Sequence, residues 1–281
     1  MNQAKVLNFF GLLLIMFGIS FAIPLFVAIF YGESLIRVFG LGMSILVLMG
    51  FLSWFFTKDN KQELSLSDGF IITVLFWIVL SVSGSIPFIL FGFGVVDSFF
   101  ESMSGITTTG ATVIAGLDDL PKSLLIYRQL LQWLGGMGLI VLAIAVMPLL
   151  GIGGGQLFKT QTPGPMSEQR LTPRITSTAR ALWSIYFVLT VLCIFAYRLA
   201  GMSYFDAVSH AFSTVSIGGF STHDLSIGFF DSLSIEIVCI AFMLLSAMSF
   251  AIHYSAIYRK QVLKYFYDPE LRFFVSLLIV I

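Results

Sequence analysis

Two short stretches of this chain place oxygen-rich backbone and glycine where a dehydrated cation could be held. The first is Thr107, Thr108, Thr109 and Gly110; the second is Ser216, Ile217, Gly218 and Gly219, 109 positions later. Neither holds a carboxylate, which disfavours a ring built for divalent ions, and neither holds the Lys or Arg that an anion pore would want. What remains is carbonyl and hydroxyl oxygen, neutral ligands suited to a weakly hydrated monovalent cation, potassium above all. Gly110 and Gly219 supply the φ > 0 geometry that turns carbonyls onto one axis.

Such backbone is tolerated at membrane depth only where it is buried in protein or lines a watery cavity. The loops therefore need a membrane scaffold, and the composition provides one. Of 281 residues, 58% are hydrophobic and 11% charged, with a mean hydropathy of +0.97; a soluble domain is about 45–50% apolar and about 25% charged. Six complete candidate spans lie at 6–29, 35–56, 69–93, 124–150, 179–200 and 231–258, each able to supply the about 20 apolar residues that a crossing needs. A seventh begins near Leu271 and has run only a few apolar residues at Ile281, so the chain is expected to continue. The first apolar run is too long, and lacks the small-residue cleavage site, for a signal peptide.

The two loops sit in matching surroundings. Asp97 to Thr112 reads D-S-F-F-E-S-M-S-G-I-T-T-T-G-A-T, and Asp206 to Ser221 reads D-A-V-S-H-A-F-S-T-V-S-I-G-G-F-S. Each is preceded and followed by a span, so the repeating unit is span, short helix, glycine-containing loop, span. Asp97 and Asp206 are read as N-caps of the two short helices, accepting from free backbone N–H groups. About ten residues of helix then run inward, and their C-terminal ends carry roughly half a negative charge into the membrane, where it stabilises a cation. The expected fold is all-α and membrane-embedded: an N-terminal helix pair at 1–66, a first unit at 67–156, a second at 157–262 and the start of a third at 263–281.

Charge orients this arrangement. With the N-terminus in the cytoplasm and both short helices dipping in and returning, eleven of the fifteen Lys and Arg fall inside, as the positive-inside rule requires. Nine acids, Glu33, Asp97, Glu101, Asp118, Asp119, Asp206, Asp224, Asp231 and Glu236, then fall outside, and a negative mouth concentrates cations. No feature calls for nucleic acid; lipid is the expected surroundings.

These residues carry a resemblance. The chain resembles the Trk/Ktr/HKT superfamily of potassium transporters, and within it the membrane subunit of the bacterial Trk uptake system. The matching motifs are F-F-E-S-M-S-G-I-T-T-T-G-A-T-V-I from Phe99, G-L-D-D-L-P-K from Gly116, R-Q-L-L-Q-W-L-G-G-M-G from Arg128, M-P-L-L-G-I-G-G from Met147, T-P-G-P from Thr162 and D-A-V-S-H-A-F-S-T-V-S-I-G-G-F-S-T-H-D from Asp206. The resemblance implies four span–pore helix–span units, of which two and the start of a third are present, and an intramembrane gating loop in the third. It implies one filter glycine per unit, here Gly110 and Gly219, with potassium-coordinating carbonyls on the two residues before each: Thr108 with Thr109, and Ile217 with Gly218. It further implies potassium uptake across the bacterial inner membrane, a homodimer, and a cytosolic nucleotide-binding regulatory subunit of the TrkA type. A filter specified by one glycine per loop is expected to prefer potassium less strictly than one with several.

Other residues read more plainly. Cys193 and Cys239 lie in apolar runs and behave as small hydrophobes. Gly135, Gly136 and Gly138 allow close helix packing. The inner linker contains Gly151 to Gly155, Pro163, Pro165 and Pro173, a flexible connection. Arg128, with Gln129 and Gln132, is placed near the outer end of its helix and snorkels to the interface, while Trp133, Tyr127, Tyr197 and Tyr204 suit interfacial belts. His210, which aligns with Glu101, is read as a polar contact between neighbouring units. A proton- or sodium-coupled symporter would need an ionisable group at mid-membrane depth, and none is clearly placed. A membrane-embedded hydrolase or lipid-modifying enzyme would need a Ser-His or His-carboxylate set, which His210, His223 and His253 do not supply. No cofactor is called for beyond the transported ion.

Overall fold

A computed structural model of the chain describes residues 3–58, 66–146, 171–258, 260–261 and 263–280. The inner linker with Gly151 to Gly155, Pro163 and Pro165, and the boundary at 156, lie outside these residues, as do Lys61, Lys159, Arg170 and Arg259. The described residues are helical: α1 (Gln3–Ser20), α2 (Ala22–Tyr31), α3 (Ile36–Thr57), α4 (Leu66–Phe91), α5 (Val95–Ile106), α6 (Lys122–Val146), α7 (Leu171–Leu199), α8 (Tyr204–Val215), α9 (Leu233–Ala247), α10 (Phe250–Tyr258), α11 (Lys264–Tyr267) and α12 (Pro269–Val280).

Among the described residues, four stretches are long and apolar enough to cross a membrane: Gln3–Tyr31, Ile36–Thr57, Asp68–Phe91 and Arg180–Leu199. The first is interrupted between α1 and α2. Pro24 has no N–H to give the Ser20 carbonyl, so the helical ladder is broken there. The span expected at 231–258 is not continuous. Its halves, α9 and α10, meet at 92°, because Met248 leaves the helical region with ψ 149. His253 bridges the corner: its Nε2 meets the Leu245 carbonyl at 2.9 Å, and its Nδ1 meets the Tyr265 hydroxyl at 2.7 Å. A carbonyl orphaned at the end of α9 thus gains a partner.

The N-terminal pair packs through glycine. A Cβ on Gly50 would lie 2.6 Å from the Gly11 carbonyl, and one on Gly11 would lie 2.9 Å from the Gly50 carbonyl. Small residues let the backbones approach where lipid offers no hydrophobic drive. An aromatic knot joins this pair to the rest. The Tyr127 ring on α6 lies 5.2 Å from Phe21, 5.4 Å from Phe39 and 5.3 Å from Phe88, centroid to centroid, and its hydroxyl donates to the Gly84 carbonyl at 2.7 Å. Tyr127 and Tyr197 are fully buried, so they are core residues and not belt residues; each buries an apolar ring and satisfies its hydroxyl inside the protein. Tyr204, exposed and stacked on Arg198 at 4.4 Å, does suit an interface.

The short helices α5 and α8 are inside-out by the standard of a soluble protein. On α5, Ser98, Glu101, Ser102 and Ser104 are buried, while Val95, Val96 and Phe100 face outward. On α8, Ser209, His210, Ser213 and Thr214 are buried and Tyr204 is exposed. α6 runs past both. A Cβ on Gly135 would overlap the Ile106 carbonyl at the end of α5, and one on Gly136 would come within 3.2 Å of Ser216 at the end of α8.

Candidate functional site

The repeat read from sequence reappears in the backbone. α5 spans 95–106 and α8 spans 204–215, an offset of 109 at both ends. After each helix the chain turns through the same bonds. Thr108 N–H donates to Gly105 O (3.0 Å) and Thr109 N–H to Ser104 O (2.9 Å); Ile217 N–H donates to Thr214 O (3.1 Å) and Gly218 N–H to Ser213 O (2.8 Å). Left-handed residues then fall at equal positions: Thr108 (φ 54) and Gly110 (φ 77), Ile217 (φ 54) and Gly219 (φ 83). For a β-branched residue φ > 0 is a true outlier, costing on the order of 1–3 kcal/mol and persisting only where the surroundings over-determine it. Thr108 and Ile217 therefore mark both loops as held by something other than local preference.

Asp97 and Asp206 are not the N-caps. The caps are Gly94 and Ser203, and each aspartate is the third residue of its helix. Asp206 N–H donates to Ser203 Oγ at 3.1 Å, and the Ser203 hydroxyl donates to Asp206 Oδ2 at 2.6 Å. Both carboxylates still sit at the positive end of a helix dipole.

What holds the loops comes largely from α6. Arg128 Nε donates to Glu101 Oε1 at 2.8 Å, and both side chains are fully buried. The same guanidinium donates to Thr112 Oγ1 (3.0 Å) beyond the first loop and to the Ser221 carbonyl (3.0 Å) beyond the second, and it stacks on Phe220 at 4.4 Å. Glu101 also accepts from the Thr112 hydroxyl (2.9 Å) and the Val113 N–H (3.2 Å). Arg128 is thus a buried clamp across both loops and does not snorkel, and Glu101 is not part of an exposed acidic face. A planar fork with five donors suits this task as an ammonium would not.

Gln132, one turn further along α6, reaches the second loop. Its Nε2 donates to the Gly218 carbonyl at 2.7 Å, and its Oε1 accepts from the Phe220 N–H at 3.1 Å. One lone pair of the Gly218 carbonyl, expected to be free for an ion, is therefore taken by Gln132. Gly218 is buried while Ile217 and Gly219 on either side are exposed. In the first loop Thr109 is exposed, and Thr108 and Gly110 are half-buried. The loops touch each other, since a Cβ on Gly110 would overlap the Gly218 carbonyl oxygen.

Beyond the loops, the two units are braced directly. Asp224 accepts from the Gly116 and Leu117 N–H groups at 3.1 Å. His223 Nδ1 meets Asp118 Oδ1, and its Nε2 lies 3.4 Å from Asp206 Oδ1. The hydrogen bond from His223 holds the Asp118 carboxyl below its ordinary value of 3.8. Glu33, between α2 and α3, accepts from Lys122 N–H (2.7 Å) and Ser123 N–H (3.1 Å) and so caps α6. Among the described residues, the hydrogen bonds of His210 stay within its own unit: its Nδ1 meets the Asp206 carbonyl and its Nε2 meets Ser221 Oγ, each at 2.9 Å. Position for position it repeats the Glu101–Thr112 contact of the first unit.

The sequence profile of TrkH, described as a cation transport protein, matches residues 35–281. The chain belongs to the TrkH family. It is 49% identical over 281 residues to the Trk system potassium uptake protein TrkH of Halomonas elongata, covering 99% of this chain and 58% of that protein. It is 44% identical to the TrkH of Escherichia coli K12, covering 98% and 58%, and 46% identical to the TrkG of the same organism, covering 94% and 55%. A crystal structure of the potassium transporter TrkH from Vibrio parahaemolyticus superposes with a TM-score of 0.88 at 46% identity, covering 100% of this chain and 57% of that one. The chain thus spans under three fifths of the length of these relatives.

Sequence reasoning found Thr108, Thr109, Gly110, Ile217, Gly218 and Gly219, and the structure brings them together in two adjoining loops. It missed the residues that hold those loops and their flanks, Glu101, Arg128 and Gln132, and Asp224, which braces the units at Gly116 and Leu117. A signal for α6 was present. Arg128, Gln129 and Gln132 interrupt an otherwise apolar stretch, and a polar residue within a span is functional by default.

Proposed function

We propose that this chain carries two of the loops of a potassium-selective pore and serves potassium uptake across a bacterial inner membrane. The observation that carries the reading is the pair of loops with left-handed residues at 108 and 110 and at 217 and 219, free of acidic and basic side chains and packed against each other. Backbone oxygens of Thr108, Thr109, Gly110, Ile217 and Gly219 replace the hydration shell of the ion, and Gly218 joins them through the lone pair that Gln132 leaves. α5 and α8 act as pore helices, aiming the negative ends of their dipoles at the ion. A ring of about four such loops closes a filter, and these two supply adjacent members of it. Residues 67–156 and 157–262 are the two units, with 263–281 opening a third, and 1–66 is an accessory helix pair.

The relatives' names support a transporter and not an enzyme, and a place in a multi-component Trk system. By family resemblance the protein works as a homodimer, with a cytosolic nucleotide-binding regulator of the TrkA type and its N-terminus in the cytoplasm. The test uses the full-length protein with Gly110→Ser or Gly219→Ser. Growth at low potassium should fail, or the rubidium-over-sodium flux ratio should fall. An unchanged ratio in both variants removes the filter assignment.

A further inference from the structure

Gln132 belongs to the helix that follows the first loop, yet both of its side-chain hydrogen bonds are made to the second loop. It is fully buried. Its amide pairs with the C=O of Gly218 and the N–H of Phe220, one group of each kind two residues apart, which is the pairing that a neighbouring strand edge would offer. The space a side chain at 218 would need is filled by that amide: a Cβ there would lie 2.5 Å from Oε1 and 2.7 Å from Nε2. Gly110 also approaches this peptide so closely that its own Cβ would overlap the Gly218 oxygen. The Gly218 peptide is thus gripped between α6 and the first loop.

The contact has no counterpart in the repeat. The position 109 residues after Gln132 is Ala241, which has no polar group to offer. In the first loop, the Thr107 and Thr109 hydroxyls instead meet each other at 2.8 Å. Of the two units in this chain, the grip therefore belongs to the first alone.

We propose that Gln132 is a positioning residue that sets the ion preference of the filter by holding the Gly218 peptide in place. The inference rests on the reading of these loops as a filter. A smaller ion such as sodium needs the oxygens to close in around it, whereas potassium is met where they already stand. A loop tied to a buried amide resists closing in, so the tie penalises sodium. Cutting it should admit sodium with little loss of potassium conduction.

The experiment measures rubidium and sodium flux through the full-length protein in vesicles, with protein amount determined for each variant. Gln132→Met keeps the bulk and removes both hydrogen bonds; Gln132→Glu keeps the acceptor for Phe220 and removes the donor to Gly218. Both should lower the rubidium-over-sodium ratio, Gln132→Met by about thirtyfold, the equivalent of the two neutral hydrogen bonds lost, while rubidium flux per molecule stays within about threefold. Thr190→Val is the packing control. It removes the partner of Trp133 Nε1 (3.0 Å), on the residue after Gln132, without touching either loop, and should leave the ratio unchanged. An unchanged ratio in both Gln132 variants overturns the proposal, as does an equal fall in Thr190→Val. If Gln132→Met does not accumulate, Gln132→Glu decides by the same criterion. Gly110→Ser and Gly219→Ser run in parallel: if they shift the ratio and the Gln132 variants do not, the grip alone is wrong; if none shifts it, the filter reading is wrong.

Discussion

The two glycines at equal places in the repeat should not respond equally to the smallest substitution. Gly219 has φ 83 and no atom within 4 Å of where a Cβ would stand. Gly219→Ala therefore carries only the conformational cost of an L-residue in the left-handed region, about 1–2 kcal/mol. Gly110 has φ 77 and faces the Gly218 oxygen. Gly110→Ala meets the same conformational cost and must also push the second loop away, straining the Gln132 contacts to Gly218 and Phe220, each worth about 1 kcal/mol. The totals are about 1–2 kcal/mol for Gly219→Ala and about 3–4 kcal/mol for Gly110→Ala. With about 1.4 kcal/mol per factor of ten, about five- to thirtyfold of selectivity is at stake at position 219 and more than about a hundredfold at position 110. Rubidium-over-sodium flux through the full-length alanine variants measures this, together with the potassium concentration that supports half-maximal growth. Equal damage at the two positions, or greater damage at Gly219, would refute the claim that the loops press on each other through Gly110.

Two further outcomes follow from the clamp and from the brace between the units. Arg128→Met leaves Glu101 buried and uncompensated and should cost about 3–5 kcal/mol, seen as a lower melting temperature in detergent; Glu101→Met with Arg128→Met should recover much of that loss, because well-packed apolar residues often replace a buried pair at little cost. Asp118 has its carboxyl held down by the hydrogen bond from His223, so its contribution to stability is present above its ordinary value of 3.8 and is lost as pH falls through the lower folded value. Wild-type protein should therefore lose melting temperature more steeply than Asp118→Asn as pH falls below 3.8, and parallel acid limbs would count against the contact.

The helices and the repeat were legible because each rests on a local property. Long apolar runs can only satisfy their backbone as helices in lipid, and the duplicated stretches at 97–112 and 206–221 share an offset that needs no structure to see. Gly110 and Gly219 were legible for the same reason: a left-handed backbone favours the residue without a Cβ. Local signals also misled. The aspartates are good capping residues, yet the chain enters each helix three residues earlier, at Gly94 and Ser203. A continuous apolar run from 231 to 258 does not reveal a corner at Met248.

By itself, then, the sequence determined that this is a helical membrane protein with two matched, uncharged, glycine-containing loops. Only the tertiary structure decided how those loops are held. Arg128 reaches Ser221 across 93 residues, Gln132 reaches Gly218 across 86, and Asp224 reaches Gly116 across 108. Such bonds leave no periodicity in the chain. For the buried Arg128 and Gln132 they are chosen because a charge or amide buried without a partner is costly, and both found that partner beyond their own unit. The folded chain thereby turned an arginine read as snorkelling, and a glutamine read as an edge residue, into the buried supports of both loops.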